Sequence, residues 1–254
     1  MAKNKKGYSL DTLRHSLAHI MALALKRIYG EVIYGVGPTI ENGFYYDVEI
    51  KNKTLNKTLT EKDLEKIEQE MRKIIEEKLP FKKKYLSLKE AETLFKKLKQ
   101  NYKLELIKDL RKYGTTVENE KENIKNKKSN KINKVSIYEV GEFVDLCRGP
   151  HVKNTSELPL SFKLTKVSGA YWRGKEENPM LQRITGVAFQ TQKELKDYLN
   201  LIKEAEERDH RYLGEKLDLF HFDENLGPGL VLWHPKGAML KKIIEEYALN
   251  EYLK

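Results

Sequence analysis

Apolar side chains recur at helical spacing near the start of the chain. Leu10, Leu13, Leu17, Ile20, Met21, Ala24 and Ile28 predict a buried helix over residues 9–29. Ser9 is placed to cap it, Asp11 suits its first turn, and Gly30 suits its end. Residues 31–36 (EVIYGV) predict a strand, and 37–43 (GPTIENG) a turn-rich link. In 44–49, Phe44, Tyr46 and Val48 alternate with Tyr45, Asp47 and Glu49, the period of a half-buried antiparallel strand. Leu64, Ile67, Met71, Ile74 and Ile75 make one stripe of an amphipathic helix over 60–78. Thr60 and Asp63 open it as a capping box, and Pro80 stops it. A short helix over 87–99 follows.

Lys, Asn and Glu dominate residues 114–134, which cannot bury a core and predict a mobile surface loop. Strands resume at 135–140, 142–146, 161–167 and 183–189. A charged helix over 192–212 has the character of a connector. LDLFHF and LVLW then read as two strands around the loop DENLGPG, and a helix runs from Pro235 to Lys254. On it, Met239, Leu240, Ile243, Ile244 and Tyr247 form an apolar face, which predicts self-association or disorder there. Helices mixed with mostly antiparallel strands define an α+β class.

The chain has 254 residues, with 48 Lys+Arg against 38 Asp+Glu and a formal net charge of +10. That balance favours a polyanionic partner, nucleic acid first, the plain alternative being a solvated lysine-rich surface. No apolar run approaches the ~18 residues of a membrane span. The basic start, MAKNKKGYSLDTLRH, has no apolar stretch of the kind a secretory signal needs. One cysteine, Cys147, leaves no internal disulfide, so a cytoplasmic protein with no membrane partner is expected.

Two short segments carry chemistry. His15 and His19 lie four apart, on one face of the first helix, with Cβ atoms about 6 Å apart. Cys147 and His151 flank Gly149-Pro150, a turn able to bring both to one place. The histidine pair alone is more often structural or incidental. Four such groups together suit tetrahedral zinc, metal-free proton transfer near neutral pH, or a cysteine nucleophile, and the residues alone leave all three open. Ser16-Leu17-Ala18 lacks the glutamate of H-E-x-x-H, which argues against a zinc peptidase.

The runs RHSLAHIMALALK, VGPTIENGFYYDV, EFVDLCRGPHV and SGAYWRGKEENPMLQRITGVAF resemble the editing domain of bacterial threonyl-tRNA synthetases. The stretch from ERDHRYLGEKLDLFHF to KKIIEEY is similar to that family's linker helix and the opening of its class II catalytic domain. C-R-G-P-H and G-A-Y-W-R-G are the most specific motifs. Alanyl editing domains share the histidine and cysteine layout, but their second segment reads differently. The resemblance implies an editing domain over 1–191, a linker helix over 192–213, and an incomplete start of the catalytic domain over 214–254. It implies that the ubiquitin-like N-terminal domain and the threonine-activating core are missing. The implied activity is hydrolysis of the ester of mischarged Ser-tRNA(Thr), without aminoacylation, by a piece of the synthetase. A free-standing editing factor, or a non-catalytic tRNA-binding or zinc-stabilised module, is the alternative. A second site is needed because one missing methyl is worth only ~1–3 kcal/mol in a pocket that accepts the larger substrate.

Carried over by resemblance, the catalytic residues are His15, His19, Cys147, His151, Lys103 and Asp145, with Tyr46 and Gly37 binding substrate. Asp145 and Lys103 would orient the serine amino group and the water. His15 would contact the ribose hydroxyl or the water, while Cys147 and His151 would shape the pocket against threonine. Gly37 would offer backbone where a side chain would block the substrate. Tyr46 would pack on the terminal adenine. The plain readings are a surface strand lysine for Lys103, a core residue for Tyr46 and a turn cap for Asp145. Trp172 is expected to pack, and Arg173 is open between a salt bridge and RNA. No metal is expected to be required, with zinc on His15, His19, Cys147 and His151 as the alternative. ATP and a catalytic zinc belong to the full-length enzyme only. The implied partners are the acceptor 3′ end of tRNA(Thr) and the seryl ester, and the full-length family is homodimeric.

Overall fold

The structure, a computed structural model, describes residues 7–51, 58–116, 132–223, 225, 227 and 229–254. Most of the predicted loop at 114–134 therefore lies outside the described residues. The chain order is α1 (Leu10–Tyr29), β1 (Val32–Tyr34), β2 (Thr39–Ile40), β3 (Gly43–Ile50), α2 (Glu61–Glu76), β4 (Lys82–Ser87), α3 (Leu88–Lys97) and α4 (Asn101–Tyr113). It continues with β5 (Lys134–Val140), β6 (Phe143–Leu146), β7 (Phe162–Tyr171), β8 (Met180–Ala188), α5 (Gln192–Glu207), α6 (His210–Lys216), β9 (Phe220–Phe222), β10 (Val231–Trp233) and α7 (Pro235–Tyr252). The class is α+β, and the pairings of the described strands are antiparallel. Two compact units result, Met1–Leu195 and Lys196–Lys254, with α5 crossing the boundary.

In the first unit one sheet runs β1-β3-β8-β7, with β2 beside β3, and a second runs β4-β5-β6. α1 packs against β3 of the first sheet, against β5 and β6 of the second, and against α2. That explains its composition. A helix covered on most sides is apolar nearly all round, and residues from Leu13 to Leu25 on it are buried almost without a break. Ser9 Oγ accepts from the Thr12 amide at 3.2 Å, and Gly30 ends the helix at φ +76°, where an L side chain would be strained. In α2 the Asp63 carboxylate accepts from the Thr60 amide at 2.9 Å.

The helix expected over 87–99 is one of two. Lys99, at φ +55°, breaks the run, and α4 starts again at Asn101. Ala91 and Phe95 of α3, with Ile107 and Leu110 of α4, bury against Val135 and Ile137 of β5. β4 was not legible as a strand because its sequence, KKKYLS, has hardly any apolar alternation. It is paired along one side by β5. β7 and β8 extend beyond the expected 161–167 and 183–189 as one hairpin, through Tyr171 paired with Met180.

In the second unit the two expected strands, β9 and β10, pair antiparallel. His234 sits between Asp218, 2.6 Å from its Nδ1, and His221, 2.6 Å from its Nε2. The apolar residues Met239, Leu240, Ile243, Ile244 and Tyr247 of α7 are exposed. Among the described residues no helix is long and apolar enough to cross a membrane.

Candidate active site

α1 presents His15 and His19 one turn apart, with ring centroids 5.3 Å apart and nearly perpendicular. β6 delivers the chain beside α1, and the turn at Gly149-Pro150 brings Cys147 and His151 back to the same face. The Cys147 sulfur lies 3.3 Å from His15 Nε2, across 132 residues of sequence, and 3.2 Å from His151 Nε2. It also accepts from the Gly149 amide at 3.2 Å. The His151 ring is 4.2 Å from that of His15 and 4.1 Å from that of His19. Phe81 stacks on it at 5.1 Å, and Tyr138 meets it edge-on at 4.4 Å. The two motif segments thus form one cluster.

A buried ion pair lies beside it. Lys103 is 2% exposed and Asp145 4%, and their charges are in direct contact. Asp145 Oδ2 accepts from Tyr46 Oη at 2.5 Å and lies 3.4 Å from His19 Nε2. Lys103 Nζ also donates to Tyr46 Oη, at 3.3 Å. Two plain readings fail here. Lys103 is on helix α4 rather than a surface strand, and Asp145 caps no turn but faces Lys103, Tyr46 and His19. An isolated buried charge is too costly to keep, so each of the pair requires the other.

Tyr46 departs from the role that the resemblance gave it. Its side chain is fully buried, edge-on to Tyr34 and Phe143, with no ring face open to an adenine. Its hydroxyl is bonded to Asp145. Gly37 is small beside it: a Cβ there would come within 2.3 Å of the Tyr46 ring. The missing side chain makes room for Tyr46 first, although Gly37 still lines the cleft.

The cleft has a volume of about 500 Å³. His15, Lys103, Asp145 and Cys147 line it, while Tyr85, Lys134 and Arg148 stand around it. His19 and His151 are buried behind it. A larger hollow, about 640 Å³, lies against α1, β1 and α3 and gathers no imidazole or thiol. The residues Lys83, Tyr85, Tyr138 and Arg148 were missed in sequence. Lys83 Nζ donates to the Arg148 carbonyl at 3.2 Å and lies 5.2 Å from the Tyr85 ring and 5.5 Å from that of Tyr138. The available signal was the basic-aromatic run KKKY. Trp172 packs as expected, 4.7 Å from Tyr102, and donates to Glu105 at 2.8 Å. Arg173 forms a salt bridge, 2.7 Å from Asp109.

Burial sets the protonation states. It lowers the pKa of His15, His19 and His151 below the ordinary 6.5, so all three are neutral imidazoles at pH 7. Burial, then the Asp145 charge, pushes the Cys147 thiol up to about 12. A thiol held protonated is a poor nucleophile, so of the three chemistries the cysteine nucleophile fits least. The metal reading is geometrically sound, because His15, His19, Cys147 and His151 offer ligand atoms all within 4.8 Å of one another. Zinc binding there would first have to displace the thiol proton.

Residues 135–185 match the family described as the threonyl and alanyl tRNA synthetase second additional domain. Asp145, Cys147 and His151 fall inside that match, and His15, His19 and Lys103 outside it. The chain is 49% identical over 254 residues to a threonine–tRNA ligase of Sulfurihydrogenibium sp. (strain YO3AOP1), covering 99% of this chain and 36% of that one. It is 46% identical over 248 residues to the ligase of Aquifex aeolicus (strain VF5), covering 97% and 35%. For Geobacillus kaustophilus (strain HTA426) the figures are 49% over 243 residues, 96% and 33%. The chain spans about a third of the length of these curated relatives. By sequence it is similar to the threonine–tRNA ligases over a stretch of about a third of their length that contains the second additional domain.

Proposed function

We propose that this chain hydrolyses the ester linking serine to the terminal ribose of tRNA(Thr), the editing reaction of a threonyl-tRNA synthetase. The observation that carries the reading is that His15 and Cys147 line one cleft together with the Lys103–Asp145 pair, with His151 against the Cys147 sulfur behind them. Water attacks the ester carbonyl, the bond from carbonyl carbon to ribose oxygen breaks, and the ribose oxygen leaves with a proton. Serine and uncharged tRNA(Thr) are the products. His15, as a neutral base facing the cleft, orients the water and takes its proton. Lys103 and Asp145 fix the serine end of the substrate by charge. Cys147 narrows the pocket where threonine carries its extra methyl, so the larger residue is refused by overlap. Lys83, Lys134 and Arg148 suit the phosphates of the acceptor end.

The test compares seryl and threonyl esters on the same tRNA(Thr), with the full chain as catalyst. Release of serine and sparing of threonine is the expected result. Salt-sensitive tRNA binding with no turnover of either ester replaces the reading with that of a binding module. The exposed ring of Tyr85, 65% accessible at the cleft, is assigned the adenine in place of Tyr46. Tyr85→Ala is expected to raise KM roughly tenfold, within the ~1–3 kcal/mol that stacking a base is worth. An unchanged KM takes Tyr85 out of the contact.

Bound zinc would supply a Lewis acid and an acidified water. The proposed route runs on the imidazoles, and chelator-treated protein is expected to keep its deacylation rate within about twofold. Loss of activity that added zinc restores would overturn that. The lowered histidine pKa values also predict a pH profile. With its pKa below 6.5, the His15 base is mostly unprotonated at and above pH 6.5, so the fall in rate is centred below that pH. Stability follows the same linkage. Below pH 6.5 the unfolded chain binds protons that His15, His19 and His151 refuse when folded. Stability is therefore greatest above that pH and falls on acidification, by up to ~1.4 kcal/mol per histidine per pH unit. Urea midpoints between pH 7.5 and 5 would measure it, and a flat series would contradict it.

A further inference from the structure

Ser16 lies on α1 between the two histidines, with its side chain wholly buried. Its hydroxyl has three polar neighbours. It donates to the Thr12 carbonyl at 2.8 Å, accepts from the Val152 amide at 3.1 Å, and lies 3.1 Å from His151 Nδ1. A hydroxyl has one hydrogen and two lone pairs. The Thr12 carbonyl has no proton to give, so this shortest contact consumes the serine hydrogen. The Val152 amide can only donate, and it occupies one lone pair. What faces His151 Nδ1 is the second lone pair, so the imidazole must bring the proton. Donation by Ser16 to Nδ1 instead would leave two oxygens 2.8 Å apart with no hydrogen between them.

We propose that Ser16 is a positioning residue that fixes His151 as the Nδ1–H tautomer and turns the bare Nε2 of that ring onto the Cys147 thiol. The consequence for hydrolysis rests on the function proposed above. The thiol has one hydrogen and two imidazole nitrogens within reach, His151 Nε2 at 3.2 Å and His15 Nε2 at 3.3 Å. With His151 Nε2 bare, the S–H is given to it, and His15 Nε2 keeps its lone pair for water in the cleft. In the opposite tautomer, His151 would point an N–H at the sulfur and divert the S–H to His15, occupying the base. Ser16 thus acts on His15 through two intermediates without touching substrate. It offers the hydrogen-bond partner that a metal-binding histidine also needs at its far nitrogen, so the arrangement is compatible with either chemistry.

Long-range proton–nitrogen spectra of the full chain, labelled at histidine and held at pH 8, read the tautomer directly, and His151→Gln identifies the signal. The expected result is Nδ1–H for His151. Ser16→Ala is expected to move it toward Nε2–H and to lower kcat for seryl-ester hydrolysis about tenfold, with KM within twofold. Ser16→Thr keeps a hydroxyl able to bond the carbonyl four residues back, and is expected to restore both. An Nε2–H pattern in the unaltered protein overturns the proposal even if the variants fail to fold. So does a Ser16→Ala protein that keeps the Nδ1–H pattern, or one whose tautomer changes while its rate does not. The spectrum needs no substrate. Absence of deacylation in the unaltered protein would therefore sink the proposed function and leave the tautomer assignment standing.

Discussion

His15→Ala is expected to slow hydrolysis of Ser-tRNA(Thr) by about 10²–10⁴-fold, the usual contribution of a positioned base. Three imidazoles share the cluster, but only His15 lines the cleft; His19 and His151 are buried behind it. His15 is also the least buried of the three, so its ring can be removed with little loss of packing. The thiol keeps His151 Nε2 as its partner. Circular dichroism and the urea midpoint should therefore stay near those of the parent while single-turnover deacylation collapses. A rate within twofold of the parent would remove His15 from the mechanism. His19→Ala is the instructive contrast. That ring is enclosed by Phe81, Phe143 and His151, so its loss should act on stability before chemistry.

The largest stability effect is expected from Lys103→Met, which keeps an unbranched apolar stem and deletes the charge. Asp145 is then left as a buried carboxylate, facing only the Tyr46 hydroxyl and a neutral His19. Breaking a buried pair from one side costs about 3–5 kcal/mol, much more than an exposed pair would. The measurement is the shift in urea midpoint at constant m-value. Pairing Lys103→Met with Asp145→Asn should recover most of the loss, because no uncompensated charge remains. A single variant that costs under about 1 kcal/mol would mean that water reaches Asp145 and that the pair is not the floor of the cleft.

Much of the local structure was legible. The stripe from Leu10 to Ile28, with Ser9 before it and Gly30 after it, specified α1 because caps and helical spacing act over four residues. The same spacing placed His15 and His19 on one face. Alternation in 44–49 specified β3 and turned Tyr46 inward with Phe44 and Val48. Other features were invisible at that range. Lys99 in a left-handed conformation splits α3 from α4, and nothing in 87–99 announces it. The lysines of β4 carry no strand pattern of their own, and its partner strand lies about 50 residues away.

The site divides along the same line. Sequence alone determined which side chains carry chemistry and which neighbours share a helical face or flank a turn, since those relations are set by the backbone repeat. Only the tertiary structure decided that α1, between two sheets, brings its imidazoles against the chain leaving β6. It also decided that Lys103 is buried, that Tyr46 meets Asp145 inside the core, and that Gly37 leaves room for the Tyr46 ring. The reason is one of range. A lysine on a helix looks solvated until the fold supplies its carboxylate, and the energy of a buried charge depends on a partner that no local pattern names.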